Sequence, residues 1–269
     1  MEVIVSSQNN LVKLAASLRQ KKYRDEAGVF SVEGVRLVEE AIKADWEITT
    51  CIVTKKAYEQ SRVQKLVEQL EKRHCRIAEL SDILYAKITD TDQAQGIMAI
   101  VKKKEFSLQD LTAENKRPLI AVLDAVQDPG NVGALIRTAD AAGCTAVIMT
   151  PGSADLFSGK TVRATMGSLF HIPVVSKIST PELISYVKEF QIQLIATALT
   201  SSSPYYEVDL TGPAAVVFGN EGNGVSDELL RHAASRLYIP LYGQAESLNV
   251  AAAAAVIFYE IARQRRVAL

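Results

Sequence analysis

The run "LIAVLDAVQDPGNVGALIRTADAAGCTAVIMT", residues 119–150, decides the fold. It opens with an apolar stretch over 119–126, breaks at Asp128, Pro129 and Gly130, and then changes period. Counted at 100° per residue from Val132, residues Leu135, Ile136, Ala139, Ala142 and Gly143 fall on one stripe, and Gly133, Arg137 and Asp140 share the lane beside it. That spacing predicts a helix. A second apolar run over 145–150 follows at once. Apolar strand, helix, apolar strand is the pattern of a parallel sheet buried on both faces.

The alternation continues outward through "IPVVS" (172–176), "LIATAL" (194–199), "AAVVFG" (214–219) and "LYIPL" (237–241), each followed by a turn or a helical pattern. The fold class is α/β, a parallel sheet with helices on both faces. Upstream, "GVFSVEG" then "VRLVEEAIKA", "ITTCIVTKK" then "VQKLVEQLEKRH", and "GIMAIVKKK" describe a smaller α/β domain. The expected organisation is a domain over 1–105, a polar linker over 106–117 ahead of Pro118, and a second domain over 118–269.

Composition excludes several classes. The 269 residues are 48% hydrophobic, enough for substantial cores, and no apolar run approaches the length of a membrane span. The start, "MEVIVSSQNNLVKL", lacks the charged and apolar regions of a secretory signal, so the expected location is the cytoplasm. Cys51, Cys75 and Cys144, like His74, His171 and His232, are scattered without ligand spacing, and no metal is expected. Net charge is −1, but residues 1–117 carry 20 basic and 18 acidic side chains while 118–269 carry 10 and 13. Lys13, Arg19, Lys21, Lys22 and Arg24 lead the basic excess. They read as a solvated helix face or, alternatively, as an arm contacting phosphates.

Ligands of parallel sheets sit beyond the carboxyl ends of the strands, so the loops after these runs carry the chemistry. In the first, helical side chains lean toward the N-terminus, and Arg137 points over Gly133 toward the turn at Pro129, Gly130 and Asn131. A guanidinium there suits an anion or a polarised hydroxyl. The alternative is a surface ion pair with Asp140. In the second, "GNEGNGVSDELL" places Gly219, Gly222 and Gly224 around Glu221, ahead of a helix that Ser226 would cap. The glycine spacing is not that of a dinucleotide fingerprint, and no Lys-Ser/Thr pair follows Gly224 as a phosphate loop requires. What remains is a loop whose backbone approaches a ligand closely, with a carboxylate at its tip. In the third, "YGQAESLNVAAAAAVIFYE", Ser247 suits a helix N-cap, Asn249 is out of place in a first turn, and the alanines 251–255 allow close packing within the domain or against a second subunit.

Taken in order, "DPGNVGALIRTADAAG", "VVFGNEGNGVS" and "IPLYGQAESLNVAAAAAVIFYE" resemble the SpoU-type (TrmH-like) RNA ribose 2′-O-methyltransferases of the SPOUT class. "GKTVRATMGSLFHIPV" (159–174) extends the likeness, and "VFSVEGVRLVEEA" and "TDTDQAQGIMAIV" look like the family's substrate-binding domain. One departure is Ala245 and Glu246 ahead of Ser247, where many members have small or hydroxyl residues. The resemblance implies a C-terminal trefoil knot, S-adenosylmethionine as cofactor and a homodimer with a shared site. Carried over by motif, the cofactor would meet Thr197, Ala198, Leu199, Gly219, Ile239 and Leu248, and the active-site positions would be Asn131, Arg137, Glu221, Ser247 and Asn249. The implied reaction is methylation of a ribose 2′-hydroxyl in structured RNA. Ribosomal RNA is the favoured substrate, given the added domain and basic arm. The alternatives are transfer RNA or a non-catalytic assembly factor on the same fold. A free guanidinium is a poor base, so Arg137 is read as an electrostatic clamp, with the hydroxyl proton passing to solvent, phosphate or Glu221.

Overall fold

Residues 1–111, 117–199 and 202–267 are described by the computed structural model. Residues 112–116 of the expected linker lie outside them. The chain forms two compact units, one of Met1–Lys104 with Phe157–Phe170, the other of Glu105–Leu156 with His171–Leu269.

The first unit is built on a five-stranded sheet of β1 (Glu2–Ile4), β2 (Val29–Glu33), β3 (Ile48–Thr54), β4 (Arg76–Leu80) and β5 (Ile97–Lys102), ordered β1-β4-β3-β5-β2. Strands β1, β4 and β3 run parallel, and β5 is antiparallel to both its neighbours. Its helices are α1 (Asn10–Ser17), α2 (Lys21–Ala27), α3 (Val35–Lys43), α4 (Lys55–Tyr58), α5 (Ser61–Lys72) and α6 (Asp82–Tyr85). Leu11, Val12 and Ala15 of α1 join Ile52, Ala78, Leu80, Met98 and Ile100 of the sheet in one core. The short helix α7 (Gly159–Thr165) belongs here although its sequence lies among the strands of the second unit. Aromatic anchors hold the segment: Phe157 stacks on Phe30 at 4.8 Å, and Phe170 meets Trp46 edge-on at 5.2 Å.

The basic residues at the start are largely committed within the protein. Arg24 is 3% exposed and donates to the carbonyls of Leu18 (2.6 Å) and Arg19 (2.7 Å), so it braces the link between α1 and α2 and is no part of a phosphate-contacting arm. Arg19 pairs with Asp90 at 2.6 Å, and Lys21 pairs with Asp25.

The second unit carries the expected parallel sheet: β6 (Leu119–Leu123), β7 (Ala146–Met149), β8 (Val174–Ser176), β9 (Gln193–Thr197), β10 (Ser203–Pro204), β11 (Ala214–Phe218) and β12 (Ser235–Tyr238), ordered β10-β12-β9-β11-β6-β7-β8. All six pairings are parallel. Its helices are α8 (Pro129–Ala141), α9 (Thr180–Glu189), α10 (Asp227–His232) and α11 (Val250–Val267). On one face Ile120, Ile148, Ala196 and Val217 pack under Leu183, Ile184 and Val187 of α9 and Leu229 of α10. On the other, Phe218 meets Phe258 of α11 at 5.2 Å, and α11 lies along α8. Coverage of both faces explains the uninterrupted apolar strands, each fully buried Val, Leu or Ile being worth about 1.5–3 kcal/mol.

Helix α8 starts at Pro129, two residues earlier than a break at Pro129 and Gly130 suggests. Asp128 is its N-cap, accepting from the Asn131 N–H at 2.9 Å, and Pro129 occupies the first turn, where its missing N–H costs nothing. Val132, Leu135, Ile136 and Ala139 form the buried stripe, joined by Gly133. Ala142 and Gly143 drop out of it because the helix ends at Ala141.

Candidate active site

Three loops follow the carboxyl ends of β6, β11 and β12, and the first two are tied together by side chains. Asp124, buried just after β6, accepts from the Thr150 hydroxyl (3.0 Å) and the Ser226 N–H (2.8 Å). Asn220 donates to the Ala125 carbonyl at 2.8 Å, and its Oδ1 accepts from the N–H groups of Gly222 and Asn223. The Asn220 and Gly224 backbones exchange two hydrogen bonds of 2.9 Å, closing the loop on itself. Gly219 is required there: a Cβ would lie 2.1 Å from the Gly224 carbonyl carbon and 2.2 Å from the Val225 nitrogen. Asp124 and Asn220 were not singled out from the sequence. Their signal, a polar residue directly after an apolar strand, was present in "VLDAV" and "VFGNE".

Glu221 spans the gap. Its carboxylate accepts from the N–H groups of Gln127 (3.1 Å) and Asp128 (3.2 Å) and from Asn131 Nδ2 (2.9 Å). Partial withdrawal from water alone would raise its pKa, but the Asn131 amide and these backbone donors outweigh that and hold the carboxyl below its usual range. An ionised carboxylate with three donors already on it is a positioning group and a weak proton acceptor. Asn131 passes the alignment on, its Oδ1 accepting from Asn249 Nδ2 at 2.9 Å.

Asn249 is the N-cap of α11, its Oδ1 accepting from the N–H of Ala251 (2.9 Å) and Ala252 (3.3 Å). The cap expected at Ser247 is therefore two residues further on, and the oddity of an Asn in a first turn disappears: Asn249 stands where helices prefer Asn. Ser226 does precede α10, yet its side chain makes no capping bond.

A cavity of about 760 Å³ opens beside this chain of bonds. Thr197, Ala198, Leu199, Gly219, Ile239 and Leu248, the six residues expected to meet a cofactor, all line it. Glu221, Ser247 and Asn249 line it too, over an apolar base that includes Phe218, Leu237 and Ile257. Among the described residues that line it, two are acidic, Glu221 and Glu246, and none is basic. The departure at Glu246 thus adds a second carboxyl to the wall. Such a lining opposes phosphate-bearing ligands and accepts a cation with an apolar ring.

Asn131 touches the site through its bonds to Glu221 and Asn249. Arg137, two turns along α8, is exposed and does not line the cavity. The alternative that it pairs with Asp140 is not realised, because Asp140 meets His171 Nδ1 at 3.3 Å and no partner of Arg137 occurs among the described residues.

The fold and this cleft define an α/β protein with a cavity walled by backbone and apolar side chains at three strand-end loops. Residues 118–259 match the SpoU rRNA Methylase family, and residues 9–99 match the MRM3-like substrate binding domain. The chain belongs to the SpoU rRNA methylase family. It is 40% identical, over 97% of its length and 99% of the relative's, to the 23S rRNA (guanosine(2553)-2′-O)-methyltransferase RlmP of Bacillus subtilis. Its structure resembles that of an AdoMet-bound rRNA methyltransferase from Sinorhizobium meliloti, with a TM-score of 0.88, 34% identity and 97% of each chain covered. It also resembles the SpoU methyltransferase AviRb from Streptomyces viridochromogenes in complex with AdoMet, with a TM-score of 0.86, 26% identity, and 96% of this chain and 100% of that one covered.

Proposed function

We propose that the protein transfers a methyl group from S-adenosylmethionine to a ribose 2′-hydroxyl of ribosomal RNA, in the cytoplasm. The observation that carries the reading is the cavity lining: backbone and apolar side chains with two carboxyls and no basic group suit an adenine joined to a sulfonium, and relatives of this architecture are described with AdoMet bound. Thr197, Ala198, Leu199, Gly219, Ile239 and Leu248 would hold the cofactor. The chemistry it brings is a sulfonium-bound methyl group that an oxygen displaces in line.

The protein's part is placement. Glu221, Asn131 and Asn249 fix the mouth of the cavity, and Ser247 adds a hydroxyl on its wall, so the ribose oxygen can be held in a near-attack arrangement. Arg137 supplies a guanidinium to the ribose oxygen and the adjoining phosphate. The hydroxyl proton leaves to that phosphate or to solvent, since Glu221 is already saturated with donors. Residues 118–269 hold the cofactor and residues 1–105 select the RNA, in keeping with the name of the family model matched by 9–99.

The assembly is a homodimer through the second unit. Ala254, Ile257, Phe258 and Ile261 bury one face of α11, while Val256 (37% exposed) and Tyr259 (56%) stand on its outer face beside exposed Ala252. A site shared across that interface gives Arg137 a cavity to serve other than the one it does not line. The trefoil knot belongs to the same reading: β12 lies beyond β9 from β11, yet the chain returns from it to lay α11 against α8. Light scattering at micromolar concentration should return twice the 29.3 kDa chain mass, and a single-chain mass would refute the dimer. The reaction is tested by mapping ribose methylations in total RNA from cells with and without the protein. One ribosomal site should vanish, and an unchanged ribosomal map would refute the assignment.

A further inference from the structure

The first unit has its own cleft, of about 640 Å³, where β3 and β4 end and β5 begins, between α4 and α6. Its chemistry is the reverse of the other cavity's, because side chains line it. Asp90 is engaged by Arg19, but Asp82 and Asp92 are exposed and carry no ion pair among the described residues. Gln95 accepts the Val35 N–H on Oε1 at 2.8 Å, which leaves its NH₂ group as the donor. The main chain closes in at Gly96 (φ 71°), where a Cβ would lie 2.5 Å from Thr54 Oγ1 and 2.9 Å from Ala57 Cβ. Tyr85 lines the cleft at 2% exposure, and its buried hydroxyl has no hydrogen-bond partner among the described residues. Buried polar atoms are rarely left so, and an orphan on a residue that lines an open cleft points to a polar ligand.

Asp82, Asp90 and Asp92 outnumber the two basic residues of the lining, Arg19 and Lys56, and Arg19 is spent on Asp90, so the wall is net acidic and disfavours the RNA backbone. The unpaired carboxylates ask for donors. Guanine presents N1–H and N2–H₂ side by side, a parallel pair that one carboxylate accepts in bidentate fashion, with the O6 acceptor next to them. Adenine and cytosine set a donor beside an acceptor, and uracil sets its one donor between two acceptors. Resting on the reading of an RNA substrate, we propose that this cleft holds an unpaired guanine base of that RNA, its donor edge on Asp82 or Asp92, its O6 on the Gln95 amide, and a polar atom within reach of the Tyr85 hydroxyl. Only an unpaired base offers that edge.

The test uses the labelled full-length chain with guanosine 5′-monophosphate, uridine 5′-monophosphate and inorganic phosphate as probes, read at the Gln95 side-chain amide and at the Thr91 and Gly96 backbone by NMR. The guanine nucleotide should shift these signals with at least tenfold tighter binding than the uracil nucleotide, and phosphate alone should not. Tyr85→Phe deletes a hydroxyl with no protein partner, so the thermal midpoint should hold while guanine binding weakens several-fold. Gln95→Glu keeps the bond to Val35 and removes the donor, and it should weaken guanine at least as much. In methylation assays both variants should raise the RNA concentration for half-maximal rate several-fold with the saturated rate unchanged. Equal response to both nucleotides, no response, or a response to phosphate alone overturns the proposal. Guanine-selective shifts in a protein that methylates no RNA would overturn the methyltransferase reading and leave this site standing.

Discussion

The two units each place a cleft at the carboxyl ends of parallel strands, and they furnish it in opposite ways. In the second, main chain and apolar side chains form the wall, Asp124, Asn220 and Glu221 lock two of its loops together, and the Asn131–Asn249 bond ties in the third. In the first, carboxylates, the basic Arg19 and Lys56, amides and hydroxyls form the wall, around Gly96 and the Tyr85 hydroxyl, which has no partner among the described residues. A wall of backbone demands glycine and small residues at fixed places and serves one invariant ligand. A wall of side chains can change its ligand with each substitution. The difference suits a protein whose cofactor is common to a family and whose RNA substrate differs from one member to the next.

The largest effect should come from the glycines, and it should separate the clefts. Gly219→Ala forces a methyl group into the backbone of Gly224 and Val225, an overpacking of about 3 kcal/mol at the upper end of its usual range, and calorimetry should find no binding of S-adenosylmethionine. Gly222→Ala, whose Cβ would meet only Asn220 Oδ1 at 3.5 Å, should bind nearly as the wild type does. Gly96→Ala should spare cofactor affinity and impair RNA binding. Cofactor binding lost in Gly96→Ala would break the division between the clefts.

Next in size, Arg137→Ala should slow single-turnover methylation on the order of a hundredfold to a thousandfold, as expected for one preorganised electrostatic contact, with fold and cofactor affinity retained. Arg137 lies off the buried stripe, so no core cavity results. Arg137→Lys should rescue poorly, because an ammonium lacks the planar fork that grips two oxygens. A near-wild-type rate in Arg137→Ala would remove it from the chemistry.

Smaller again is the contrast between two neighbours on one loop. Asn249→Ala removes the α11 cap and the bond to Asn131, and should cost about 1 kcal/mol of stability in denaturant unfolding. Ser247→Ala, which removes no cap, should cost markedly less. Equal losses would contradict the capping assignment.

The smallest effect concerns pH. The folded pKa of Glu221 lies below its usual 4.5, so its stabilisation is present above that value and is lost as pH falls through the folded pKa. The difference in thermal midpoint between wild type and Glu221→Gln should be present at pH 6 and shrink below about pH 4.5. A midpoint difference that grows in acid would reverse the sign. Because Glu221 stays ionised at neutral pH, no rate change between pH 6 and pH 9 should trace to it.

The parallel sheet was legible because both its faces are buried, which turns strands 119–123, 146–149, 174–176, 193–197 and 214–218 into largely apolar runs, whereas 235–238 reads Ser-Arg-Leu-Tyr with only Leu237 buried and begins two residues ahead of the apolar run at 237–241. β10, two residues at the edge of the sheet, left no such trace. The six cofactor-side residues came from the family resemblance, carried over by motif, and they line one cavity beyond the strand ends, where ligands of parallel sheets sit. Sequence failed where the third dimension decides. A cap at Ser247 or at Asn249 depends on where α11 starts, and a solvated Arg24 cannot be told from a buried one by spacing. The cleft of the first unit was not read from the sequence for the same reason: Asp92 and Gln95 fall within "TDTDQAQGIMAIV", but no spacing shows that Asp82 and Tyr85 join them.

The central claim is methyl transfer to a ribose oxygen, and one measurement addresses it directly. Purified protein is incubated with S-adenosylmethionine labelled in its methyl group and unmodified ribosomal RNA, and the product is hydrolysed in alkali. A methyl on the 2′-oxygen blocks cleavage of the neighbouring phosphodiester, so the account predicts label in an alkali-resistant dinucleotide, absent with Arg137→Ala. Label recovered in an ordinary mononucleotide would place the methyl on a base, and no label at all would deny the transfer. Either result contradicts the account.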